Sequence, residues 1–519
     1  MPSWMNIGQI QKVNAKKFKD TVALMDQDRS FTYPAMNKRV NQLAHSLGGL
    51  GLAKGDKVAV FLENCIEIVE LFLATAKTGI IMVPINFRLA GPEVEYIVNN
   101  SDAKALVAHD LFAETISPIR DKLTNIPAAN YVMVGQAEAG YIEYEDFIRD
   151  AAEDEPEARV DPRDTWILIY TSGTTGRPKG VLRSHESHIA YYLNCSVDFG
   201  FNEKDVCLNV MPLCHINSIF FTFTFLYIGG SAYIHPAIGF KPEEVLEIIE
   251  RHKITFISLI PTHYTLILNA PAEAKQRDVR SIRKLLCSSA PGRRSMKQAV
   301  MEFFSGVELY EAYGSTEGGI VTILKPEYQM TKLGSIGFEA LGNDFIKILD
   351  PEGNEVPQGE IGELYSRGPT LFDEYYKLPE QTAESFKQGL FSAGDLARKD
   401  EDGFYHLVDR KKNMIITGGE NVYPSEIEEV VGSHECVLDC AVIGLPDEKW
   451  GEKVTAVVIK KDGLQPEDIT EEMIKDCCRG QIAGYKRPKE VIFIEEDEMP
   501  RTPTGKILHR KLRDKFGEQ

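Results

Sequence analysis

Through roughly its first 330 residues the chain alternates short β-branched runs with stretches whose apolar residues recur every three or four positions. KVAVFLEN, CIEIVELFLATAKTG and IIMVPIN read as strand, helix and strand. PEEVLEIIERHK, ITFISLIP, SIRKLLCSSAP and RRSMKQAVMEFF form a second such unit. This alternation predicts parallel sheets with crossover helices. From about Gly334 to Pro369 the pattern changes to short strands with turns such as DPEGN, which predicts a smaller β-rich subdomain. After Asp395, DGFYHLVDRKKNMIITGGENVYPSEIEEVV places two apolar strands around the polar DRKKN, and Ser425 and Glu428 have capping-box spacing at a helix start. CAVIGLPDEKWGEKVTAVVIKK, a charged helix and EVIFIEE complete a compact α+β unit of about a hundred residues. The expected fold is therefore α/β: a large N-terminal domain (1–411) of layered α/β subdomains plus the β-rich subdomain, then a small α+β C-terminal domain (412–519).

INSIFFTFTFLYIGGSAYI, residues 216 to 234, is apolar enough to suggest a membrane span. Gly229 and Gly230 divide it into a helix-length and a strand-length piece, as expected of a buried helix leading into a buried strand, so no membrane insertion is expected. A length of 519 residues exceeds what one hydrophobic core supports, and two or more domains follow. A net charge of -19 argues against nucleic acid or an anionic membrane as the main partner, so any anionic ligand must meet locally placed Lys and Arg. Nine cysteines without zinc-type spacing predict reduced thiols, and MPSWMNIGQIQKVNAKKF lacks the apolar core of a signal peptide. A cytoplasmic protein is expected.

The stretch YTSGTTGRPKGVLRSH, residues 170 to 185, holds the most concentrated candidate chemistry. A phosphate-binding P-loop needs four residues between its glycines, then Gly-Lys and a hydroxyl residue opening a helix. Here only two residues separate Gly173 from Gly176, Lys179 is followed by Gly180, and GVLRSH reads as a second extended segment. The pattern predicts a turn between two strands, whose glycines let backbone N–H groups converge on an anion while the hydroxyls add donors. A plain hairpin tip is the alternative reading.

Behind it, in order, come YGSTE at 313 to 317, GD at 394 to 395, DRKKNMI at 409 to 415 and PRTPTGK at 500 to 506. Together with YTSGTTGRPKG these stretches resemble the acyl-adenylate-forming superfamily, which includes acyl-CoA synthetases, adenylation domains of peptide synthetases and beetle luciferases. The resemblance covers nearly the whole chain. It implies an ATP-dependent, AMP-forming carboxylate–CoA ligase, in which a carboxylate attacks the α-phosphorus of ATP, pyrophosphate leaves, and acyl-AMP hands its acyl group to a nucleophile. It also implies a mobile C-terminal domain that reorients between half-reactions about Lys412. By resemblance, Thr171, Ser172, Gly173, Thr174, Thr175, Gly176 and Lys179 hold the ATP phosphates. Ser289, Ala290, Pro291, Glu311, Ala312, Tyr313, Gly314 and Ser315 line the adenylate site, with the Tyr313 ring against adenine. Thr316 offers a hydroxyl to the α-phosphate. Glu317, with Thr171 as a second oxygen donor, is implied to hold Mg²⁺. Asp395 and Arg410 are implied to take the ribose hydroxyls, and Lys506 to bridge the substrate carboxylate and the α-phosphate. Taken alone, Lys179, Glu317 and Lys506 read as solvated charges and Tyr313 as a core aromatic. Two phrases depart from the family pattern: GLFSAGD has Leu390 and Ala393 where Trp and Thr are usual, and CSSAPG has Ser288 and Ser289 in place of Gly-Gly.

The same resemblance favours coenzyme A as the nucleophile. Trp450 in DEKWGEK and Tyr485, Arg487 and Lys489 in YKRPK, with Lys486, make a basic aromatic patch for the CoA nucleotide, and Gly418 and Gly419 would line the pantetheine path. The patch could instead neutralise nearby acids. Two alternatives stay open: a stand-alone adenylation enzyme loading a carrier protein, and a non-catalytic nucleotide-binding relative, against which the joint presence of Glu317 and Lys506 speaks. By position, His215, Ile216, Asn217, Ala312, Gly314 and Gly319 line the acyl pocket, with His215 either a gate at its mouth or an ordinary buried histidine. Small residues at 312, 314 and 319 are expected to leave room for a medium-sized aromatic, alicyclic or medium-chain acid rather than acetate. The expected ligands are ATP, Mg²⁺, CoA and a small carboxylic acid; the oligomeric state stays open, a homodimer being one option.

Overall fold

The computed structural model describes the chain except residues 1–5, 172–177, 289–291, 344, 418–419, 448–449, 462, 464–468, 480, 503–504 and 518–519. It divides into two compact units: residues 1–333, 337–345 and 366–391 in the first, and 334–336, 346–365 and 392–519 in the second. This division differs from a single cut between 411 and 412. Strand Asp395–Lys399 pairs antiparallel both with Tyr405–Arg410 and, at Gly362 and Glu363, with the β-rich segment, so these strands cluster with the C-terminal residues.

Two sheets build the first unit. One runs in the order Glu374–Tyr375, Lys179–Ser184, Thr165–Thr171, Ile81–Pro84, Lys57–Phe61, Ala103–His109, Tyr131–Val134 and Ile142–Glu143. In the other, Val206–Asn209, Phe256–Leu259, Lys284–Cys287 and Glu308–Ser315 are parallel neighbours, followed by the antiparallel Gly319–Leu324. Helix Ile216–Ile228 lies between the sheets: Phe223 packs edge-on to Trp166 of the first at 5.3 Å, and Phe221 meets Phe256 of the second at 5.0 Å. Apolar contact on both sides explains a helix that is apolar all round. The Gly229–Gly230 break leads into strand Ser231–Ile234, as the sequence predicts. Among the described residues no helix is long and apolar enough to cross a membrane.

In the second unit, hairpin Val437–Asp447 and Gly451–Lys460 is extended by the parallel Glu490–Ile494. Period-2 alternation along Val437–Asp447 sends Cys440 and Val442 toward Ile427 of helix Pro424–Gly432, and Ala441, Ile443 and Leu445 toward Leu512 of helix His509–Gly517. The capping box expected at Ser425 and Glu428 does not form. Pro424, with its preset φ, takes the first helical position, so Ser425 already lies inside the helix and Tyr423 is the N-cap. The Ser425 hydroxyl donates instead to the Val408 carbonyl, while Glu428 accepts from the Val442 N–H and pairs with His509.

Candidate active site

The parallel strands of the first unit end together, and such carboxyl-end edges are where open α/β sheets bind ligands. Exposure marks the opening. In the otherwise buried run 211–226 only His215, Ile216 and Asn217 are half-exposed, and strand Glu308–Ser315 turns from buried to accessible at Ala312. Strand alternation puts Glu311 and Tyr313 on one face and Tyr310 and Ala312 on the other, the latter facing the aromatic layer in which Tyr310 meets Phe199 at 4.6 Å. Glu311 is committed structurally: its carboxylate accepts from the Gly292 N–H at 2.8 Å and from the buried Lys297 ammonium.

The turn after this strand carries Thr316 and Glu317 and is held from behind. Arg183, fully buried on strand Lys179–Ser184, donates to the carbonyls of Thr316 (2.7 Å), Glu317 (3.2 Å) and Thr370 (2.5 Å). Loss of hydration lowers its pKa to about 10, with the carboxylates of Asp373 and Glu317 acting against, so the guanidinium stays charged at neutral pH. Ser315 accepts from the Gly318 N–H at 2.8 Å and closes the turn. The Glu317 carboxylate is oriented by the buried Tyr375, whose hydroxyl donates to Oε1 at 2.9 Å, and the Lys179 ammonium stands 4.9 Å from the centre of the same ring. The Glu317 Oε2 makes no hydrogen bond among the described residues. Thr171 pairs with Lys179 across an antiparallel hairpin, so the phosphate-loop candidate joins two strands, and the helix that follows begins only at His185.

Gly314 and Gly319 do not open the acyl pocket, contrary to the sequence expectation. A Cβ on Gly314 would overlap the Gly319 carbonyl oxygen, and one on Gly319, at φ +69°, would lie 2.6 Å from the Thr370 Cβ. These glycines are needed where two backbones cross. His215 is half-exposed as a residue, while its Nε2 is buried with no hydrogen-bond partner among the described residues. Desolvation, helped by the Arg88 cation, lowers its pKa to about 4 and leaves it neutral at pH 7. Ser288, the first departure in CSSAPG, is buried and joins Ser258 at 3.3 Å, and the Ser258 hydroxyl donates to Asn217 Oδ1 at 3.0 Å.

The second unit gathers three more predicted residues. Asp395 and Arg410 face each other in sheet register, with Arg410 Nε 2.9 Å from Asp395 Oδ1. Lys506 hangs from a loop tied by the Thr502 N–H to its own carbonyl at 2.7 Å. Lys506 is exposed as a residue, and its ammonium sits in the field of Arg410, Asp395 and Asp409. Lost hydration and then the Arg410 charge hold its pKa below the usual lysine value, with the two carboxylates opposing. Lys412 lies in a turn closed by the Asn413 N–H to the Arg410 carbonyl, and its own carbonyl accepts from Arg513 at 2.9 Å. Trp450 and Tyr485 are exposed aromatics, and the Lys489 ammonium lies 5.8 Å from the Trp450 ring centre. Arg487 forms no ion pair among the described residues. Lys486 forms an ion pair with Glu426. Ser172, Gly173, Thr174, Thr175, Gly176, Ser289, Ala290, Pro291, Gly418 and Gly419 lie outside the described residues.

The sequence reading missed Arg183, Tyr375, Ser258 and Lys297. Two of them left a signal: Arg183 and Ser258 are polar interruptions inside the apolar strands KGVLRS and ITFISL.

Known proteins match most of the chain. The family model described as AMP-binding enzyme matches residues 12–376, and that of the AMP-binding enzyme C-terminal domain matches 426–506. A feruloyl-CoA synthase from Amycolatopsis sp is 35% identical over 492 residues, covering 94% of each chain. A long-chain-fatty-acid–CoA ligase from Mycobacterium tuberculosis is 34% identical over the same span and coverage. The solved structure of an anthranilate CoA ligase in complex with anthranoyl-AMP superposes with a TM-score of 0.88 at 30% identity, covering 99% of this chain and 98% of the other.

Proposed function

The chain belongs to the AMP-binding enzyme family and is an AMP-forming carboxylate–CoA ligase using ATP and CoA, and from that premise we propose that its acid is compact and ring-bearing. The observation that carries the acid class is the aromatic floor of the pocket. Tyr310 against Phe199 and Phe221 against Phe256 set aromatic rings between helix Ile216–Ile228 and the sheet, surfaces that would suit a flat ring better than a straight chain. The names of the feruloyl and anthranilate relatives point to the same class, while that of the long-chain-fatty-acid relative points to straight chains. Measuring AMP release across aromatic, alicyclic and straight-chain acids, with ATP and CoA both present, tests this reading. Turnover confined to long straight chains would overturn it.

In the proposed mechanism the substrate carboxylate attacks the α-phosphorus, forming the acyl-phosphate oxygen–phosphorus bond as the bond to pyrophosphate breaks. Lys179 offsets charge on the leaving pyrophosphate, the Thr316 hydroxyl donates to the α-phosphate, and Lys506 spans that phosphate and the carboxylate. Asp395 and Arg410 hold the ribose. In the second step the CoA sulfur adds to the acyl carbonyl and AMP departs with the bonding pair. Trp450, Tyr485, Arg487 and Lys489 are the residues proposed to meet the CoA nucleotide, with Lys412 as the hinge.

The Glu317 Oε2 suits magnesium, which with a nucleotide needs one or two protein oxygens and takes its remaining ligands from phosphate and water; Thr171 is the second candidate. Magnesium supplies charge neutralisation at the departing pyrophosphate. Tyr375 then keeps the carboxylate pointed at its site. Glu317→Gln should cut adenylation about tenfold at limiting Mg²⁺ while ATP binding changes less, and Tyr375→Phe should act in the same direction more weakly. Titrating Mn²⁺ into each variant with a non-hydrolysable ATP analogue, followed by electron paramagnetic resonance, reads metal affinity without turnover; wild-type affinity in Glu317→Gln would remove that residue from the metal site. All nine cysteines are free thiols, which supports a reducing, cytoplasmic location.

A further inference from the structure

Helix Gly91–Asn100 and the strand after it, Ala103–His109, have no part in the mechanism above, yet they grip both arms of the hairpin that carries Thr171 and Lys179. The Tyr170 hydroxyl donates to Asn100 Oδ1 at 2.6 Å, and the Tyr96 hydroxyl to the Pro178 carbonyl at 3.3 Å. Tyr170 immediately precedes Thr171 and Pro178 immediately precedes Lys179, so each arm receives one contact. Just after the edge strand Glu374–Tyr375, the Tyr376 N–H donates to the Gly180 carbonyl at 2.8 Å, and its hydroxyl reaches Asp102 Oδ2 at 2.7 Å. A Cβ on Gly180 would lie 3.2 Å from Tyr170 Cζ and 3.3 Å from Tyr376 Cβ, so the two tyrosines enclose the residue that follows Lys179.

This junction is held against local backbone preference. Asp102 and Lys377 have φ of +57° and +58°, the left-handed region that residues with a Cβ seldom occupy. The Lys377 ammonium bridges the same two anchors, donating to the Asn100 carbonyl and to Asp102 Oδ1, both at 2.9 Å. Two disfavoured conformations that meet in one ion pair mark a contact imposed by the surrounding fold. Neighbouring side chains carry it to the reactive groups: Tyr375 orients Glu317 and meets Lys179, while Tyr376, next along the chain, turns to Asp102. Resting on the ligase reading, we propose that Asn100 and Asp102 are positioning residues for adenylation, fixing the hairpin arms through Tyr170 and Tyr376 so that Lys179 meets the pyrophosphate as it leaves. Both act through other residues. The thioester step, which begins after pyrophosphate has gone, should be indifferent to them.

The test measures the two half-reactions separately in Asn100→Leu and Asp102→Gly, with whichever aromatic, alicyclic or straight-chain acid the wild type turns over fastest. Pyrophosphate release reads the first step, and thioester formation from supplied acyl-AMP and CoA reads the second. Each variant is expected to lose about tenfold in kcat for adenylation and less than about twofold in the thioester step, a split that a merely structural role would not produce. Glycine takes a positive φ without steric cost, so Asp102→Gly keeps the backbone path while both carboxylate contacts go, even if the leucine variant folds poorly. Asn100→Asp retains an acceptor for the Tyr170 hydroxyl and should restore most of the adenylation rate. Equal losses in the two half-reactions, no loss in either, or an Asn100→Asp enzyme as slow as Asn100→Leu overturns the inference and leaves the ligase reading standing. Absence of AMP release by wild type with every acid overturns the ligase reading and this inference with it.

Discussion

Replacing Lys506 by alanine is expected to lower adenylate formation about 10²- to 10³-fold while leaving thioester synthesis from supplied acyl-AMP and CoA largely intact. The lysine is well placed for a charge that matters only in the first step. Its ammonium is held near Asp395 and Arg410 by a short loop, with its pKa already lowered by lost hydration and the neighbouring guanidinium. A protonated ammonium is needed when phosphate and carboxylate charges meet, and not when a neutral thioester forms. The direction of the pKa shift gives a second readout. The alkaline limb of kcat/KM for adenylation, which reports the free enzyme, should fall below the ordinary lysine value of about 10.4 and disappear in the variant. Lys412→Pro should show the reverse pattern, making acyl-AMP and failing at thioesterification, if Lys412 is the hinge proposed above, because a fixed φ obstructs rotation there. Quench-flow separation of the two half-reactions decides the matter. Equal loss of both steps in both folded variants would point to a single static site.

Arg183→Leu should be the most damaging substitution away from substrate, lowering adenylation about a hundredfold and destabilising the first unit by about 3 kcal/mol or more. Its guanidinium is the donor to the carbonyls of Thr316, Glu317 and Thr370. Leucine fills much of the space but leaves the Thr316 and Thr370 carbonyls unmet, while the Glu317 carbonyl keeps the Phe372 N–H, and each orphan carries its own desolvation cost of about 1–3 kcal/mol. The turn bearing Thr316 and Glu317 would then relax, and a shift of about 1 Å in a positioned group is enough for such a rate loss. Chemical denaturation together with pyrophosphate-exchange assays checks both halves. An Arg183→Leu enzyme with wild-type stability and exchange would show that the turn holds its shape without the arginine. Arg183→Lys should recover little, since one ammonium cannot reproduce the planar fork that serves three carbonyls.

The contrast between what the chain disclosed and what it withheld follows from distance along the sequence. Residues 170 to 185 could be read as two strands and a turn because the evidence was local: glycine spacing, the missing hydroxyl after the lysine, and an extended segment in place of a helix. The helix at 216–228 and the strand after it were equally local. Arg183 was legible only as an oddity, because its partners lie 133 to 187 residues away and come into reach through the pairing of Tyr375 with Val181 across the edge of the sheet. That same pairing delivers the Tyr375 hydroxyl to Glu317, a contact that no motif encodes. The two glycines at 314 and 319 misled in the opposite sense: smallness suggests empty space, while here it serves a backbone crossing visible only once the strands are laid side by side. Ser425 and Glu428 show the same limit at short range, since the helix starts at Pro424 with Tyr423 as its N-cap, two residues earlier than a capping box at Ser425 requires.

Helix Ile216–Ile228, gripped by Trp166 on one side and Phe256 on the other, has a consequence for how this catalyst could be diversified. Shifting that helix would disturb two cores at once, so its backbone is a poor place to seek variation. The opposite side is different: Ser258, Ser288 and Ala312 are small side chains at or just past strand ends, so exchanging them disturbs one core rather than two. A combinatorial library confined to those three positions should therefore retain a high proportion of folded members while sampling new acids, whereas one spread along the helix would be spent largely on insoluble protein.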